Sequence, residues 1–386
     1  MAIHMKRYGI LIFAVLSFLL VSCKDRNTGK IRPVKLVEDI IADTSSYEHH
    51  QLLAAAEFNS HGTIAVVGDP KDVMIVTEYL LTCDFHDNIS GQHKSDGLPD
   101  FSGETVAQIL DDANAPYDGY IAEKGEEALR TLNVRNFLNA VDTVSLISPL
   151  DETGISYKQR AKVVVFASSL SSAYGHYDAD TLCKRLGVDV PVIAPVQAMV
   201  DYAEARHEGP LNLVVWSDSK NLSRGTYSSS MEGLNYQAFA PVKDSLNDAL
   251  AVRKQFLHLL DMYMDAGNAE KVSAMLLDDY DIPADLVSEA VSEILSTDDD
   301  NLLIYRNILE PDFECITPGR AIADRCYKYL RTANAFTHRI AYPELRSYIT
   351  IPSTDEIVEL RDRYLSSSLM EFMYEYAPKT FSLYVR

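Results

Sequence analysis

Basic residues are scarce in this chain. It has 35 Lys and Arg against 56 Asp and Glu, for a formal net charge of −21. A chain so short of cations has no surplus with which to neutralise a phosphate backbone, so nucleic acid is excluded as an expected partner, and an anionic lipid surface with it. Tryptophan occurs once and cysteine five times. Long apolar runs are also missing. The run Ile10–Leu20 has 11 residues with one serine and no charge, too short to cross a bilayer, and no other run is long enough to do so. The 47% apolar content is ordinary for a globular protein and argues against general disorder.

The short run has the form of a secretory leader, with Lys6 and Arg7 before it and small residues after it. It ends in Leu20-Val21-Ser22-Cys23, which resembles the lipobox of bacterial lipoproteins. That resemblance implies cleavage before Cys23, lipidation of Cys23 and a membrane anchor in the envelope of a Gram-negative bacterium, facing the periplasm or the cell surface. Removal of 1–22 leaves 33 basic against 56 acidic residues, or −23, so attachment would come from acyl chains and not from a basic patch. The other four cysteines are Cys83, Cys183, Cys315 and Cys326. An even number in an exported chain permits disulfides, with Cys315 and Cys326 nearest in sequence; isolated buried thiols are the alternative.

The chain is organised around Lys162 to Ala205. Lys162-Val-Val-Val-Phe166 is a bare apolar run, followed by a serine-rich turn through Tyr174, a helical segment from Asp178 to Leu186, the apolar Val190-Pro-Val-Ile193, and a second helix from Val196. Leu211–Trp216 is a third strand, ending in Ser217-Asp218. Strand, polar turn, helix, strand is the pattern of a parallel sheet with crossover helices. Ligands of such sheets sit beyond the carboxyl ends of the strands. Candidate ligand-binding residues are therefore Asp69, Ser168, Ser169, Ser171, Ser172, Tyr174, Trp216, Asp218, Asp278 and Asp279, all at or just past strand exits.

Outside this stretch, Thr63–Val67 is a strand ending in Gly68-Asp69-Pro70, whose plainest use is a turn. Asp72–Thr82 has both helical and strand character. Thr105–Asp112 and Lys124–Ala140 are expected as helices and Val144–Ile147 as a strand. Asp84-x-His86, in the glycine-rich loop that runs to Gly103, is the spacing of a first metal-ligand pair. The Asn-His pair and His-x-His that two-metal phosphoesterases also need are absent, so a hydrogen-bonded loop is expected and no metal or cofactor is assigned. Asn221–Ala240, rich in Ser, Gly and Tyr, suits a sugar or nucleoside face or a plain loop. Asp244–Ala266 is an amphipathic helix, Lys271–Leu277 a strand, Pro283–Leu295 a helix, Leu302–Ile308 a short strand, and Gly319–Arg331 and Asp355–Tyr374 helices. His338 and Arg339 could grip an anion; a lone histidine there is more commonly packed or at the surface.

The expected fold is α/β, with two parallel-sheet lobes, flanking helices and a mostly helical C-terminal segment. The expected divisions are a leader (1–22), lipidated Cys23 and tether (23–58), a first lobe (59–150), a second lobe (151–300) and a helical C-terminal region (301–386). The stretches Thr63–Asp69, Lys162–Ser172, Leu211–Asp218 and Met275–Tyr280 resemble in pattern the bilobed type I periplasmic solute-binding proteins. That resemblance implies a non-enzymatic receptor that closes on a small polar solute by a hinge and passes it to a transporter. A second resemblance is to amino-acid racemases related to glutamate racemase, which use one thiol per domain to take and return a proton. It would cast Cys83 and Cys183 in that role, although Cys183 sits within a helix and the Gly-Cys-Thr context of the second thiol is missing. A third reading is a surface or scaffold lipoprotein with no small ligand.

Overall fold

The structure, a computed structural model, describes residues 31–56, 60–148, 151–240, 248–268, 270–337, 339–351 and 381–384. The leader, Cys23, His338 and the helix expected over 355–374 lie outside the described residues.

In chain order the elements begin with α1 (Lys35–Ala42), α2 (Tyr47–Ala55), β1 (Thr63–Gly68), α3 (Pro70–Thr82), β2 (Thr105–Leu110), α4 (Tyr117–Lys124) and α5 (Glu126–Val141). Next come β3 (Val144–Ser148), β4 (Asp151–Tyr157), β5 (Ala161–Phe166), α6 (Leu170–Ala173), α7 (His176–Leu186), β6 (Val192–Ile193) and α8 (Pro195–Arg206). The second part holds β7 (Asn212–Ser217), α9 (Ser219–Ser223), α10 (Thr226–Ser230), β8 (Asn235–Phe239), α11 (Ala249–Asp265), β9 (Val272–Asp278), α12 (Ala284–Ser296), α13 (Asp300–Ile308) and β10 (Leu309–Ile316). The chain then adds α14 (Pro318–Thr332), β11 (Glu344–Ile351) and β12 (Phe381–Tyr384).

The fold is α/β with two sheets. The larger has the order β4-β3-β12-β11-β2-β1-β5-β6 and the smaller β10-β9-β7-β8. The smaller sheet is parallel throughout, and β11, β2, β1, β5 and β6 are mutually parallel in the larger. β5 and β6, expected in the second lobe, complete the first sheet. β11, in a region expected to be mostly helical, pairs along β2 from Glu344 to Ile349.

Period-two alternation sends the strand residues to opposite faces. Ile64, Val66, Val163 and Val165 of the first sheet share one core with Leu213, Val215, Ala274 and Leu276 of the second. Between the two sheets lie α3, α8 and α14, contributing residues such as Val76, Met199 and Ile322. The residues in between face outward: Ala65, Val67 and Phe166 pack against α1, α5 and α7, and Val214, Trp216, Met275 and Leu277 pack against α11 and α12. Sheets buried on both faces explain why these strands are bare apolar runs in the sequence. The three helices and their common core join the lobes into one body. The expected pair of separately cored lobes swinging on a hinge is corrected accordingly.

Local chemistry decides several elements that the sequence left open or misassigned. Asp69 caps α3 by accepting from the Lys71 amide at 3.3 Å, with Pro70 at the first helical position, so 72–82 is helix. Thr105–Leu110 is strand, because it lies hydrogen-bonded between β1 and β11. The stretch 302–308 is helix, started by the Asp299 carboxylate on the Asn301 amide at 2.9 Å. The expected tether is not a tether over its described part. Val37 and Ile40 are buried, and the Val34 amide donates to Asp178 at 2.9 Å.

Candidate active site

Alternation also fixes what stands at the strand exits. Because Leu276 faces the shared core, so does Asp278 two residues later; because Val215 does, so does Ser217. Asp278 is 3% exposed. Its Oδ1 accepts from the Ser169 hydroxyl, which follows β5 of the other sheet, and its Oδ2 accepts from Tyr227 Oη of α10 at 2.5 Å. Tyr227 Oη also lies 2.5 Å from Ser217 Oγ. Burial pushes the Asp278 carboxyl up to about 6, with Asp218 and Asp279 adding repulsion and the Ser169 and Tyr227 hydroxyls pulling it down.

Across from it stands Asp72, in the first turn of α3. Burial, then repulsion from Asp69 and Asp278, pushes this carboxyl up to about 8, against a hydrogen bond from Ser168. Asp69 is raised as well, by burial. Tyr280 donates to the Ala167 carbonyl at 3.0 Å, and its hydroxyl is held well above the usual phenol range by burial and by Asp72 and Asp278. Two ion pairs cross the same mouth: Lys71 of α3 with Asp281 after β9, and Lys220 of α9 with Asp118 of α4 at 2.6 Å. The result is one carboxyl group from the helix that follows β1 and one from the end of β9, lined by hydroxyls, at the carboxyl ends of both sheets.

Of the residues expected from sequence, Ser168, Ser169, Asp69 and Asp278 stand in this junction, and Asp279 and Asp218 act on it electrostatically. Others have local duties. Asp218 caps α9 through the Asn221 amide at 2.7 Å, and Asp279 accepts from the Asp281 amide at 3.0 Å. Ser171 donates to Asn133 at 3.2 Å, and Ser172 accepts from the Val196 amide at 3.1 Å at the start of α8. Tyr174 Oη donates to the Arg224 carbonyl at 2.6 Å. Trp216 is a correction: it points to the outer face against α11 and α12, 1% exposed, and offers no platform to a ligand. Sequence reasoning missed Asp72, Ser217 and Tyr280; Tyr227 lies in the Asn221–Ala240 stretch that it offered as a sugar or nucleoside face or a plain loop. Ser217 and Tyr280 adjoin residues it chose, and spacing of two from the apolar strand positions was the available signal.

The Asp84-His86 pair is built for holding the loop. Asp84 accepts from the Asp96 amide at 3.0 Å and the Gly97 amide at 2.8 Å. His86 is bonded to Asp100 at 3.0 Å and approaches Asp324 of α14 at 3.5 Å. Among the described residues no cluster of three His, Cys, Asp or Glu side chains could hold a metal. A cavity of about 450 Å³ lies at the other end of the first sheet, beside Arg160, Lys162 and Tyr329. Its cations are occupied: Lys162 meets buried Glu104 at 2.6 Å, and Arg160 bonds Gln51 at 3.0 Å.

The thiols do not face one another. Cys83 belongs to the inter-sheet core and Cys183 to the core on the opposite face of the first sheet. Burial raises both, Cys183 to about 12. Cys315 and Cys326 are free thiols, the first against the outer core and the second in the shared one.

No protein-family model matches the chain, and no curated protein matches it. Solved structures do. Glutamate racemase from Francisella tularensis, in complex with D-glutamate, is 15% identical with a TM-score of 0.45, covering 77% of this chain and 90% of that one. Glutamate racemase from Thermus thermophilus is 15% identical with a TM-score of 0.42, covering 79% and 94%. An aspartate racemase homologue from Pyrococcus horikoshii is 12% identical with a TM-score of 0.38, covering 70% and 99%. These structures of like architecture are two glutamate racemases and an aspartate racemase homologue. The expectation of a non-enzymatic solute-binding protein whose two lobes close on a hinge is corrected by the shared core, which joins the two sheets; lipidation of Cys23 lies outside the described residues. The likeness is one of architecture; the chemistry is read from the residues of this chain.

Proposed function

We propose that this protein is an enzyme that moves a proton on a small polar substrate gripped between its two sheets, with Asp72 and Asp278 as the acid–base pair. The observation that carries this is a separation of two carboxyl groups by environment: Asp72 pushed up to about 8 and Asp278 to about 6. At neutral pH the first carries its proton and the second does not, so one is ready to donate and the other to accept. Asp72 lies on α3, after β1 of the larger sheet, and Asp278 at the end of β9 of the smaller, and they act on one another. A substrate between them meets an acid on one side and a base on the other, and exchanging a proton at both faces of a carbon inverts it. Racemisation or epimerisation of a polar stereocentre is the reaction this placement suits. Ser168, Ser169 and Tyr227 supply hydroxyls to orient the carboxyls and the substrate. The buried, well-separated thiols give no support to a cysteine-dependent mechanism.

The test is incorporation of solvent deuterium at the stereocentre of a panel of chiral amino and hydroxy acids. Exchange should fall by roughly 10²- to 10⁴-fold in Asp72→Asn and in Asp278→Asn, and the rate should peak near pH 7 with limbs near 6 and 8. Absence of exchange across the panel, or turnover indifferent to both substitutions, refutes the proposal.

A further inference from the structure

Asp278 is reached by two hydroxyls of different origin. Tyr227 belongs to the same lobe as Asp278, on α10 after β7, and donates to Oδ2. Ser169 belongs to the first sheet and reaches Oδ1 across the junction. Other bonds cross with it: Tyr280 to the Ala167 carbonyl at 3.0 Å, Tyr174 to the Arg224 carbonyl at 2.6 Å, and the Lys71–Asp281 and Lys220–Asp118 pairs. Asp278 and Ser169 are 3% and 6% exposed. The Ser169 and Tyr227 bonds hold Asp278 from both sides of the junction.

The junction has two opposed effects on the carboxylate. Taking it out of water disfavours its charge. The charged groups that face it add to this, since they are the carboxylates of Asp218 beyond β7 and Asp279 beside it; the protonated carboxyl of Asp72 on α3 and the phenols of Tyr227 and Tyr280 complete the surround. What favours the ionised form is hydrogen-bond donation, and half of that donation arrives from the other lobe. We propose that Ser169 is a positioning residue: its hydroxyl, reaching across from the first sheet, holds Asp278 in the ionised, oriented form in which it accepts a proton. This inference rests on the acid–base reading of the site. The proton transfer itself goes from substrate carbon to Asp278 Oδ, with Ser169 keeping its own proton.

The experiment is a carbon-13 titration of the aspartate carboxyls in the full chain, with the Asp278 signal identified by its loss in Asp278→Asn. Ser169→Ala should raise the Asp278 midpoint by about one pH unit, the equivalent of one lost hydrogen bond to a charged acceptor, and Ser169→Thr should restore it. Should Ser169→Ala not fold, Ser169→Cys, a weaker donor, should give a smaller shift in the same direction. An unchanged or lowered midpoint, or no restoration by threonine, overturns the assignment. The two readings separate cleanly. A midpoint that moves as stated in a protein without deuterium exchange keeps the Ser169 assignment and removes the acid–base function; exchange with an immobile midpoint does the reverse.

Discussion

Replacing His86 by glutamine should abolish a loss of stability that the native protein shows as pH rises from 6 to 9.5. The ring lies 4% exposed between two carboxylates, bonded to Asp100 at 3.0 Å and near Asp324 at 3.5 Å, and stacks on Tyr327 with centroids 4.0 Å apart. Burial alone would lower its pKa; the bonds to Asp100 and Asp324 outweigh burial and raise it from 6.5 to about 9. A histidine raised in the folded state contributes stability that is fully present below about pH 6.5 and is lost as pH climbs through about 9. Taken whole, that shift is worth roughly 3 kcal/mol. Asp324 is shared with Lys328, which is 2.7 Å away and half exposed, so screening reduces the figure to about 2 kcal/mol. Urea unfolding at pH 6, 7.5 and 9.5 measures it. Native protein should lose about 2 kcal/mol over this range, while His86→Gln starts lower and stays flatter. Hydrogen exchange should place the loosening in 84–103, since His86 ties that loop to α14. Parallel pH profiles for the two proteins would sink the argument.

Three further outcomes follow from the core and the buried charges. Leu276→Ala, at a fully buried position of the inter-sheet core, should cost about 2–5 kcal/mol, and denaturation should remain a single transition because both sheets share that core; two separated transitions would contradict it. Glu104→Gln leaves the Lys162 ammonium buried beside a neutral partner and should cost about 3–5 kcal/mol, read as a lowered denaturant midpoint; a neutral result would mean water reaches the pair. The double replacement of Cys83 and Cys183 by serine should lower stability yet leave solvent-deuterium exchange measurable, whereas abolished exchange in a folded double variant would restore the thiols to the chemistry.

Part of the site was legible in the sequence. β1, β5, β7 and β9 stand out as apolar runs ending in polar residues, since a strand covered on both faces has no polar side to show. From those exits Ser168, Ser169 and Asp278 could be named. Trp216 could not be sorted from Ser217, because a uniformly apolar strand does not say which face is which. Asp72 was hidden differently: in sequence it is an acidic residue near a helix start, ordinarily solvated, and only the packing of α3 against the second sheet's exit desolvates it.

Composition, the strands β1, β5, β7 and β9 and the absence of a basic surplus were thus settled by the chain itself, because they depend on residue type and on contacts a few residues apart. The order of the strands, the common core of α3, α8 and α14, and the meeting of Asp72, Ser169 and Asp278 were decided only in three dimensions. Those features join residues as far apart as 72 and 278, and the desolvation that separates the two carboxyls exists only once both sheets close around them.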